Sequence, residues 1–193
     1  MDKVQKDTDV LAQVVAGFRS QGKTVVLAPG AFDLLHVGHI RYLTDARSRG
    51  DYLIVAIQGD AAVRRTKGAL RPVQPAAERA EILAEIQGIH YVVFFEEDDP
   101  SAIVRKLKPH VVVRGSDYAE MAPPEATAAA EVGAKVVIAG DPKPRSIQQI
   151  LERAAKAPAA KSAPAKPEAA PSKKAMKPAA PRKRAQAPAR AGH

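Results

Sequence analysis

The sequence contains no cysteine and no long apolar run. Without cysteine, the chain can form no disulfide framework, no thiolate zinc site and no cysteine nucleophile, which fits a reducing compartment. No run approaches the roughly 18 consecutive apolar residues of a membrane-spanning helix, and residues 1–7 are too polar for a signal peptide. These absences predict a soluble chain in the cytoplasm, with no membrane span.

The excess of positive charge is confined to one end of the chain. The sequence has 30 Lys and Arg against 21 Asp and Glu, a formal net charge of +9. Residues 154–193 hold ten of the basic residues and one of the acidic ones, so residues 1–153 carry 20 of each. The balanced body therefore needs no polyanionic partner to explain its charge, whereas the basic tail is suited to weak attraction of polyanions.

Composition also divides the chain into two parts. Residues 154–193 consist mainly of Ala, Pro and Lys, contain no aromatic residue, and have Met176 as their only large apolar side chain. Such a segment cannot bury enough apolar surface to offset the entropy lost on ordering, and its recurrent prolines interrupt helices. We therefore predict a folded domain over residues 1–153 and a disordered basic tail over residues 154–193.

Apolar runs typical of buried strands alternate with helical patterns along residues 1–153. The predicted strands are Thr24–Ala28, Asp51–Gln58, His90–Phe95, Val111–Arg114 and Lys135–Ala139. The predicted helices are Val10–Ser20, Val37–Arg49, Pro75–Gln87, Pro100–Leu107, Pro124–Val132 and Ser146–Ala155. This alternation predicts a doubly wound, Rossmann-like α/β fold, with a five-stranded parallel sheet and helices on both faces. Ligands bind such folds at the carboxyl ends of strands, where the strand order reverses, so the loop Pro29–His36 is the first candidate.

The loop after the first predicted strand has the residues of a phosphate-binding turn. Gly30 permits a sharp turn and the close approach of a ligand, and His36 and His39 share one face of a helical turn. They stand at a helix N-terminus, where free N–H groups attract phosphate, and Gly38 between them leaves room for it. Imidazole donates hydrogen bonds to phosphoryl oxygens and gains charge readily near neutral pH. The pattern therefore predicts that this loop binds a phosphate group.

Two other interpretations of the histidine pair stay open at this point. The spacing of His36 and His39 also suits zinc, although no third ligand with suitable spacing is evident, and a purely structural pair is the other alternative. His90 and His110 each begin a predicted strand without a phosphate-type context. Capping or solvent exposure is therefore predicted for these two.

Together with the stretches that follow it, Gly30–His39 resembles the HxGH signature of the cytidylyltransferase-like nucleotidyltransferases. Within this family, the resemblance is to the adenylyltransferase domain of bacterial ADP-heptose synthases, and it runs to about Tyr118 and more weakly to about Leu151. A single HxGH motif is moderately specific, whereas an ordered series at compatible spacing is strong. The matching stretches are Ala31–His39, Thr66–Gly68, Arg71–Val73, Glu78–Arg79, Phe95–Asp98 and Val113–Tyr118.

The resemblance implies an in-line nucleotidyl transfer. A phosphate oxygen of the acceptor would attack the α-phosphorus of the nucleotide, pyrophosphate would leave, and no covalent enzyme intermediate would form. Catalysis would come from positioning and charge stabilisation. His36 and His39 would contact the nucleotide phosphates, and Lys67, from a flexible loop, would neutralise charge from the other side. Mg²⁺ is expected with the triphosphate, and no protein metal site is predicted.

The resemblance also assigns binding residues around this centre. Asp33 is expected to act by positioning, whether it caps the turn, orients a histidine or holds Mg²⁺ through water. Arg79 is expected to bind phosphate or to hold the loop, with an ion pair as the structural alternative. The predicted nucleotide-binding residues are Gly30, Ala31, Phe32, Asp33, Gly38, Arg114, Gly115, Asp117, Arg145 and Ser146. The predicted acceptor-binding residues are Arg71, Arg79 and Tyr118.

Two stretches depart from the family pattern. Pro29-Gly30-Ala31 stands where the family usually has Asn-Gly-Cys, and Pro142–Ile147 stands where it has a Ser-Thr-Thr type motif. Three hypotheses follow from the sequence. The chain transfers AMP from ATP to a sugar 1-phosphate, with heptose 1-phosphate as the leading acceptor; it is a cytidylyltransferase that uses CTP and glycerol 3-phosphate or another polyol phosphate; or it is a degenerate, non-catalytic nucleotide-binding protein. A homodimer is a further expectation, because members of the family often dimerise.

Overall fold

The computed structural model describes residues 3–140, together with Glu152, Ala155 and Lys156, and within this range six strands form one parallel sheet. The strands are β1 (Val4–Gln5), β2 (Val25–Gly30), β3 (Tyr52–Gln58), β4 (Tyr91–Phe95), β5 (Val111–Gly115) and β6 (Lys135–Ala139). The helices are α1 (Thr8–Ser20), α2 (Val37–Arg47), α3 (Asp60–Lys67), α4 (Ala76–Glu85), α5 (Ser101–Leu107) and α6 (Ala126–Glu131), and Ser116–Tyr118 is a short 3-10 helix. The strand order across the sheet is β1-β4-β3-β2-β5-β6.

The central strands are apolar on both faces because helices cover both faces. In β3, every residue after Tyr52 is buried. One buried cluster joins the sheet to α2 and α4 and includes Leu43 and Leu83. A second cluster joins the other face to α1, α5 and α6 and includes Leu11 and Leu107. Burial of this apolar surface drives the fold, and the two clusters confirm the predicted doubly wound architecture.

The strands differ from the sequence prediction at two places. β1 adds a sixth strand at the edge of the sheet, where Val4 pairs with Val92. Two residues are too few to form a recognisable apolar run, so the pattern could not reveal this strand. β2 continues through Pro29 to Gly30 and pairs with β3 over its whole length. The loop therefore begins at Ala31, and Pro29 belongs to the strand.

The helices differ from the prediction at α3 and at the carboxyl end of the chain. α3 is absent from the prediction, although Gly59 before it and Gly68 after it are typical helix boundaries. The predicted helix Ser146–Ala155 and the predicted tail lie outside the described residues, apart from the three isolated positions named above. The domain boundary at 153 therefore stays a prediction. None of the described helices combines the length and the apolar character needed to cross a bilayer.

The strand order reverses beside β2. From β2 the chain continues to β3 and β4 on one side, and it then returns to β5 and β6 on the other. The segments that follow β2 and β5 therefore diverge, and a crevice opens between them at the carboxyl end of the sheet.

At the opposite, amino-terminal edge of the sheet, two histidines join neighbouring strands. Nδ1 of the His110 ring accepts the backbone N–H of Val25 at 3.0 Å, and the backbone N–H of His110 donates to the Val25 carbonyl at 2.9 Å. His90 makes the same two bonds with Leu53, at 3.0 and 2.9 Å. Capping, one of the two alternatives predicted for these histidines, is therefore confirmed for both.

Candidate active site

A cleft of about 730 Å³ lies where the segments after β2 and β5 diverge, and its size is typical of small-molecule sites. Segments that are far apart in the sequence meet here. The predicted site residues that line the cleft are Gly30, Ala31, Phe32, Asp33, His36, Gly38, His39, Lys67, Arg71, Arg114, Gly115, Asp117 and Tyr118. Arg79 is buried behind the cleft, and Arg145 and Ser146 lie outside the described residues.

The loop between β2 and α2 has a backbone conformation that side chains rarely adopt. Phe32 and Leu34 have φ angles of 51° and 50°, in the left-handed region. A Cβ on Gly30 would lie 3.0 Å from the Phe32 ring, so the glycine lets that ring fold back against the strand. The buried Phe32 ring then lies 5.6 Å from the His39 ring, centroid to centroid. It supports His39 from the protein interior.

His36 and His39 cap the N-terminus of α2 with their own rings. Nδ1 of His36 accepts the N–H of Gly38 at 3.1 Å, and Nδ1 of His39 accepts the N–H of His36 at 3.4 Å. The two ring centroids are 4.0 Å apart. Because each Nδ1 is an acceptor, the neutral form of each ring carries its proton on Nε2. The backbone therefore fixes both histidines as Nε2–H donors on one side of the cleft.

Burial favours the neutral form of both histidines in this structure. Burial lowers the pKa of His39 to about 4, and the charges of His36 and Lys67 act in the same direction. Burial also lowers the pKa of His36, although the carboxylate of Asp117 opposes this effect. Burial thus shifts both rings towards the neutral form, opposite to the ready gain of charge expected from the sequence. A neutral ring with Nδ1 as acceptor presents an Nε2–H donor to the cleft.

Asp33 joins the loop after β2 to the segment between α3 and α4. Its carboxylate is buried; Oδ2 accepts from Nη1 of Arg71 at 2.8 Å, and Oδ1 accepts the N–H groups of Val73 and Gln74 at 3.0 and 3.1 Å. Burial alone would raise the pKa of Asp33, but these donors together lower it below its usual value. Asp33 thus positions Arg71 in the cleft, a role different from the three positioning roles considered at the sequence level. Since both oxygens already accept hydrogen bonds, a water-mediated Mg²⁺ contact is disfavoured.

Lys67 comes from a helix, not from a flexible loop as predicted. It is the last residue of α3, and Gly68, with a φ of 100°, ends the helix. The exposed Lys67 side chain lines the cleft, and its charge lowers the pKa of His39. The ammonium group therefore lies near the histidine pair, as the predicted catalytic role requires. Its attachment to a helix end gives it a more defined position than a loop would.

Arg79 is fully buried, and its hydrogen bonds and its ion pair are with groups of the protein. Its guanidinium donates from Nη1 to the Gln58 carbonyl at 2.9 Å and also to the Ala31 carbonyl, and from Nε to the Gln74 carbonyl at 3.0 Å. Nη2 forms an ion pair with Asp60 at 2.7 Å. Of the roles considered for Arg79, the structure favours holding the loop together with an ion pair. Contact with a substrate phosphate does not fit a side chain with no exposed surface.

The wall of the cleft after β5 is built on a buried ion pair that sequence reasoning missed. Nη1 of Arg114 donates to the Pro29 carbonyl at 3.2 Å, and the guanidinium carbon lies 4.0 Å from the centre of the Tyr118 ring. Nε of Arg114 lies 3.1 Å from Oε1 of Glu125, which is completely buried. Nothing in the sequence distinguishes this glutamate from an exposed one at a helix start. Tyr118, predicted to bind the acceptor, follows β5 and so lies across β2 from the segment that carries Arg71.

The described residues contain no group of three or more His, Cys, Asp or Glu side chains that could hold a metal ion. The zinc alternative for His36 and His39 therefore finds no third ligand in this part of the chain. Both Nδ1 atoms also already accept backbone hydrogen bonds, which favours a donor role for Nε2 over metal ligation.

Comparison with known proteins agrees with this geometry. A family model described as cytidylyltransferase-like matches residues 27–176. The bifunctional protein HldE of Geobacter sulfurreducens is 50% identical over 117 residues, which is 61% of this chain and 24% of that protein. The bifunctional protein HldE of Pelobacter propionicus is 41% identical over 156 residues, 79% of this chain and 31% of that protein. The chain thus spans about a quarter to a third of the length of these relatives.

Two solved structures have a similar fold. The lipopolysaccharide core biosynthesis protein of Thermoplasma volcanium has a TM-score of 0.54 and 25% identity, over 65% of this chain and 100% of that one. Pantoate-beta-alanine ligase of Francisella tularensis has a TM-score of 0.53 and 14% identity, over 76% of this chain and 69% of that one. The second likeness concerns the fold alone.

Proposed function

The chain belongs to the cytidylyltransferase-like family of nucleotidyltransferases, and from this premise we propose that it transfers AMP from ATP to a sugar 1-phosphate and releases pyrophosphate. Heptose 1-phosphate is the first acceptor to test. The similarity to HldE proteins and the resemblance to the adenylyltransferase domain of ADP-heptose synthases support this choice. The observation that carries the proposal is the convergence of two Nε2–H donors and Lys67 in one cleft at the strand-order reversal.

The reaction is an in-line displacement at the α-phosphorus of the nucleotide. A phosphate oxygen of the acceptor forms the new bond to phosphorus, and the bond between the α-phosphorus and the bridging oxygen of the β-phosphate breaks. The acceptor phosphate is already ionised near neutral pH, so the step requires no general base. Catalysis then consists of holding the two phosphates in line and stabilising the charge that develops on the phosphoryl oxygens and on the leaving pyrophosphate.

The two histidines supply oriented donors for that developing charge. Their Nε2–H groups are fixed by backbone hydrogen bonds to Nδ1, so they need no reorientation during the reaction. Lys67 supplies a positive charge on a long side chain at the end of α3. Arg71, held by Asp33 at 2.8 Å, supplies a second cation on the same side of β2. A bound triphosphate raises the pKa of both imidazoles by its negative charge, which strengthens the donors where they are needed.

The cleft has two chemically different arms, and this difference orients the substrates. The arm towards β3 and β4 is lined by Gln58, Asp98 and the two cations Lys67 and Arg71. Amide, carboxylate and cationic groups suit the hydroxyls and phosphate of a phosphosugar. The arm towards β5 is lined by Tyr118 together with Met121 and Pro124, whose aromatic and apolar surfaces suit a nucleobase. In this proposal Tyr118 contacts the nucleotide, and not the acceptor as expected from the sequence. The phosphates that react lie between the arms, at the histidine pair.

Mg²⁺ is part of this proposal as the companion of the triphosphate. The described residues offer no carboxylate cluster for it, and both Asp33 oxygens are occupied. When bound, the ion would be held by the phosphate oxygens of the nucleotide and by water, and it would screen the charge of the pyrophosphate group.

Pyrophosphate release separates the proposal from its two alternatives. The purified full chain is given ATP or CTP, each with Mg²⁺, and a panel of sugar 1-phosphates and polyol phosphates that includes heptose 1-phosphate and glycerol 3-phosphate. Release with ATP and a sugar 1-phosphate supports the proposal. Release only with CTP and a polyol phosphate indicates that the protein is a cytidylyltransferase. No release with any pair, combined with nucleotide binding that His36→Ala leaves unchanged, indicates a non-catalytic binding protein.

A further inference from the structure

Glu125 is a completely buried carboxylate at the start of α6, and neither of its oxygens has a hydrogen-bond partner in the described structure. Nε of Arg114 is also without one, although it lies 3.1 Å from Oε1 of Glu125. The two groups are therefore close enough to form an ion pair but are not aligned for a hydrogen bond. Burial raises the pKa of Glu125, and the Arg114 charge opposes this rise.

Stability alone does not account for this pair. A buried polar group without a hydrogen bond destabilises the fold, and a buried ion pair is often no more stabilising than apolar side chains of the same volume. Elsewhere in the chain, the buried Arg79 makes three bonds to carbonyl groups and an aligned ion pair with Asp60. The Arg114–Glu125 pair lacks that alignment. Its position beside the cleft therefore points to a role in substrate binding and not in stability.

Arg114 occupies the point where three parts of the β5 wall meet. Its Nη1 donates to the carbonyl of Pro29 at the end of β2, and its guanidinium lies against the Tyr118 ring at 4.0 Å from the ring centre. On its other side, Nε of Arg114 lies 3.1 Å from Oε1 of Glu125. At Gly115, between Arg114 and Tyr118, a Cβ would meet nothing within 4 Å. Open space therefore lies beside this wall, next to the phosphate-binding loop.

A positive charge at this place would compete for the triphosphate if it were free to turn. Arg114 adjoins β2, whose following loop carries the histidine pair. An unpaired guanidinium so close to bound phosphates is drawn towards them. It would then leave the Tyr118 ring and bind the phosphates in a competing position. A buried carboxylate on its other side opposes that movement.

We propose that Glu125 is a positioning residue for the nucleoside end of the substrate. It holds Arg114 against Tyr118, so that the ring presents a fixed aromatic face to the base and the guanidinium stays out of the phosphate site. This inference rests on the proposed function and extends it to a residue outside the HxGH resemblance. Because the base keeps this contact throughout the reaction, the effect belongs to nucleotide binding and not to the chemical step.

The test compares nucleotide binding and kinetics in the full chain with Mg²⁺ and either ATP or CTP, whichever the unaltered protein binds more tightly. Glu125→Gln preserves the shape of the side chain and removes its charge. We expect it to raise the Kd and the KM for the nucleotide by about tenfold, with kcat changed by less than about twofold, as for a contact made equally in the ground and transition states. Glu131→Gln is the matched control, because this exposed residue ends the same helix and pairs with Arg105, away from the cleft.

A double-mutant cycle tests whether Glu125 acts through Arg114. In an Arg114→Met background, the proposal predicts that Glu125→Gln causes no further change in nucleotide Kd, because the guanidinium that it positions is gone. An additional rise in Kd in that background would overturn the proposal. Where Glu125→Gln does not fold, Glu125→Asp takes its place: it keeps the buried charge but shifts it by one methylene, and an intermediate rise in KM is expected. An unchanged KM in a folded variant would overturn the proposal.

The outcome for the unaltered protein keeps this inference apart from the proposed function. If calorimetry detects binding of neither ATP nor CTP, the proposed function fails and this inference fails with it. If a nucleotide binds and Glu125→Gln binds it with the same Kd, this inference alone fails. A rise in Kd for Glu125→Gln, with none for Glu131→Gln, supports it.

Discussion

Nη1 of Arg71 lies 2.8 Å from Oδ2 of Asp33, and this ion pair fastens the segment after α3 to the loop after β2. Asp33 is almost completely buried, whereas Arg71 is about a quarter exposed. The arginine therefore keeps one side towards the cleft while the aspartate fixes the other. The ion pair therefore fixes Arg71, on the proposed acceptor side of the cleft, relative to the loop that carries the histidines.

Replacement of Asp33 tests this coupling. In Asp33→Asn, the amide N–H group would face a donor in either orientation, Arg71 or the N–H groups of Val73 and Gln74, and the ion pair with Arg71 would be lost. We expect the free energy of unfolding to fall by about 1–3 kcal/mol and turnover to fall at least tenfold, roughly the effect of losing one oriented charged group. Denaturant titration and pyrophosphate release measure the two effects. Asp9→Asn, which breaks an exposed pair with Lys106, should change neither; unaltered turnover in Asp33→Asn would refute the coupling.

Two substitutions of His39 separate its capping bond from its donor. His39→Asn places an amide oxygen near the position of Nδ1 and so keeps the cap, but it lacks a donor at the position of Nε2. His39→Gln places an amide N–H group near Nε2. Loss of one oriented donor typically lowers kcat by about 10²–10³-fold, so we expect a loss of this size for Asn and a smaller one for Gln. Equal losses in both variants would mean that the Nε2–H group is not what the reaction uses.

Arg79 and Arg71 should respond differently to replacement by methionine. Arg79→Met removes the ion pair with Asp60 and the buried donor of three carbonyl groups, so the free energy of unfolding should fall by about 3–5 kcal/mol. Arg71→Met removes a partly exposed cation, and we expect kcat/KM for the acceptor to fall about tenfold, with a smaller loss of stability. Thermal denaturation and acceptor kinetics on both variants measure these effects. If Arg79→Met keeps its stability but has a lower kcat/KM for the acceptor, the structural role is contradicted and Arg79 contacts the substrate.

The burial of His39 predicts that stability depends on pH. The pKa of His39 is lowered to about 4 in the folded protein, whereas it returns to about 6.5 in an unfolded chain. Between these values the unfolded chain binds a proton that the folded protein does not. The free energy of unfolding attributable to His39 therefore decreases as the pH falls from about 6.5 to about 4. Denaturant titrations across this range should show a slope shallower by about one proton in His39→Gln than in the unaltered protein; the same slope in both would contradict the pKa assignment.

The sequence predicted the layers of the fold and the location of the cleft because both depend on local patterns. The apolar runs of β3 and β4 and the two histidines at a helix start carry their signal within a few residues. The edge strand β1 could not be predicted, because its two residues are too few to form an apolar pattern. α3 was not predicted although Gly59 and Gly68 mark its ends, and the loop position that the family resemblance implied for Lys67 is wrong.

What the sequence could not predict depends on distant pairs. Arg71 and Arg79 look equivalent as basic residues of the matching stretches, yet one lines the cleft and pairs with Asp33, whereas the other is fully buried and pairs with Asp60. Glu125 has no local signal at all, since its burial is set by Arg114 on a neighbouring strand. The neutral state of His39 likewise depends on burial by Phe32 and on the charge of Lys67, which spacing does not reveal.

The central claim concerns which phosphorus atom is attacked and by what, and labelled ATP tests it most directly. The protein is incubated with Mg²⁺, a heptose 1-phosphate and ATP labelled at either the α- or the γ-phosphate, and the products are separated. The account predicts that the α-label appears in a nucleoside diphosphate sugar and the γ-label in pyrophosphate, with both products lost in His39→Asn. Transfer of the γ-label to the sugar, or a product yield that His39→Asn does not change, would contradict it.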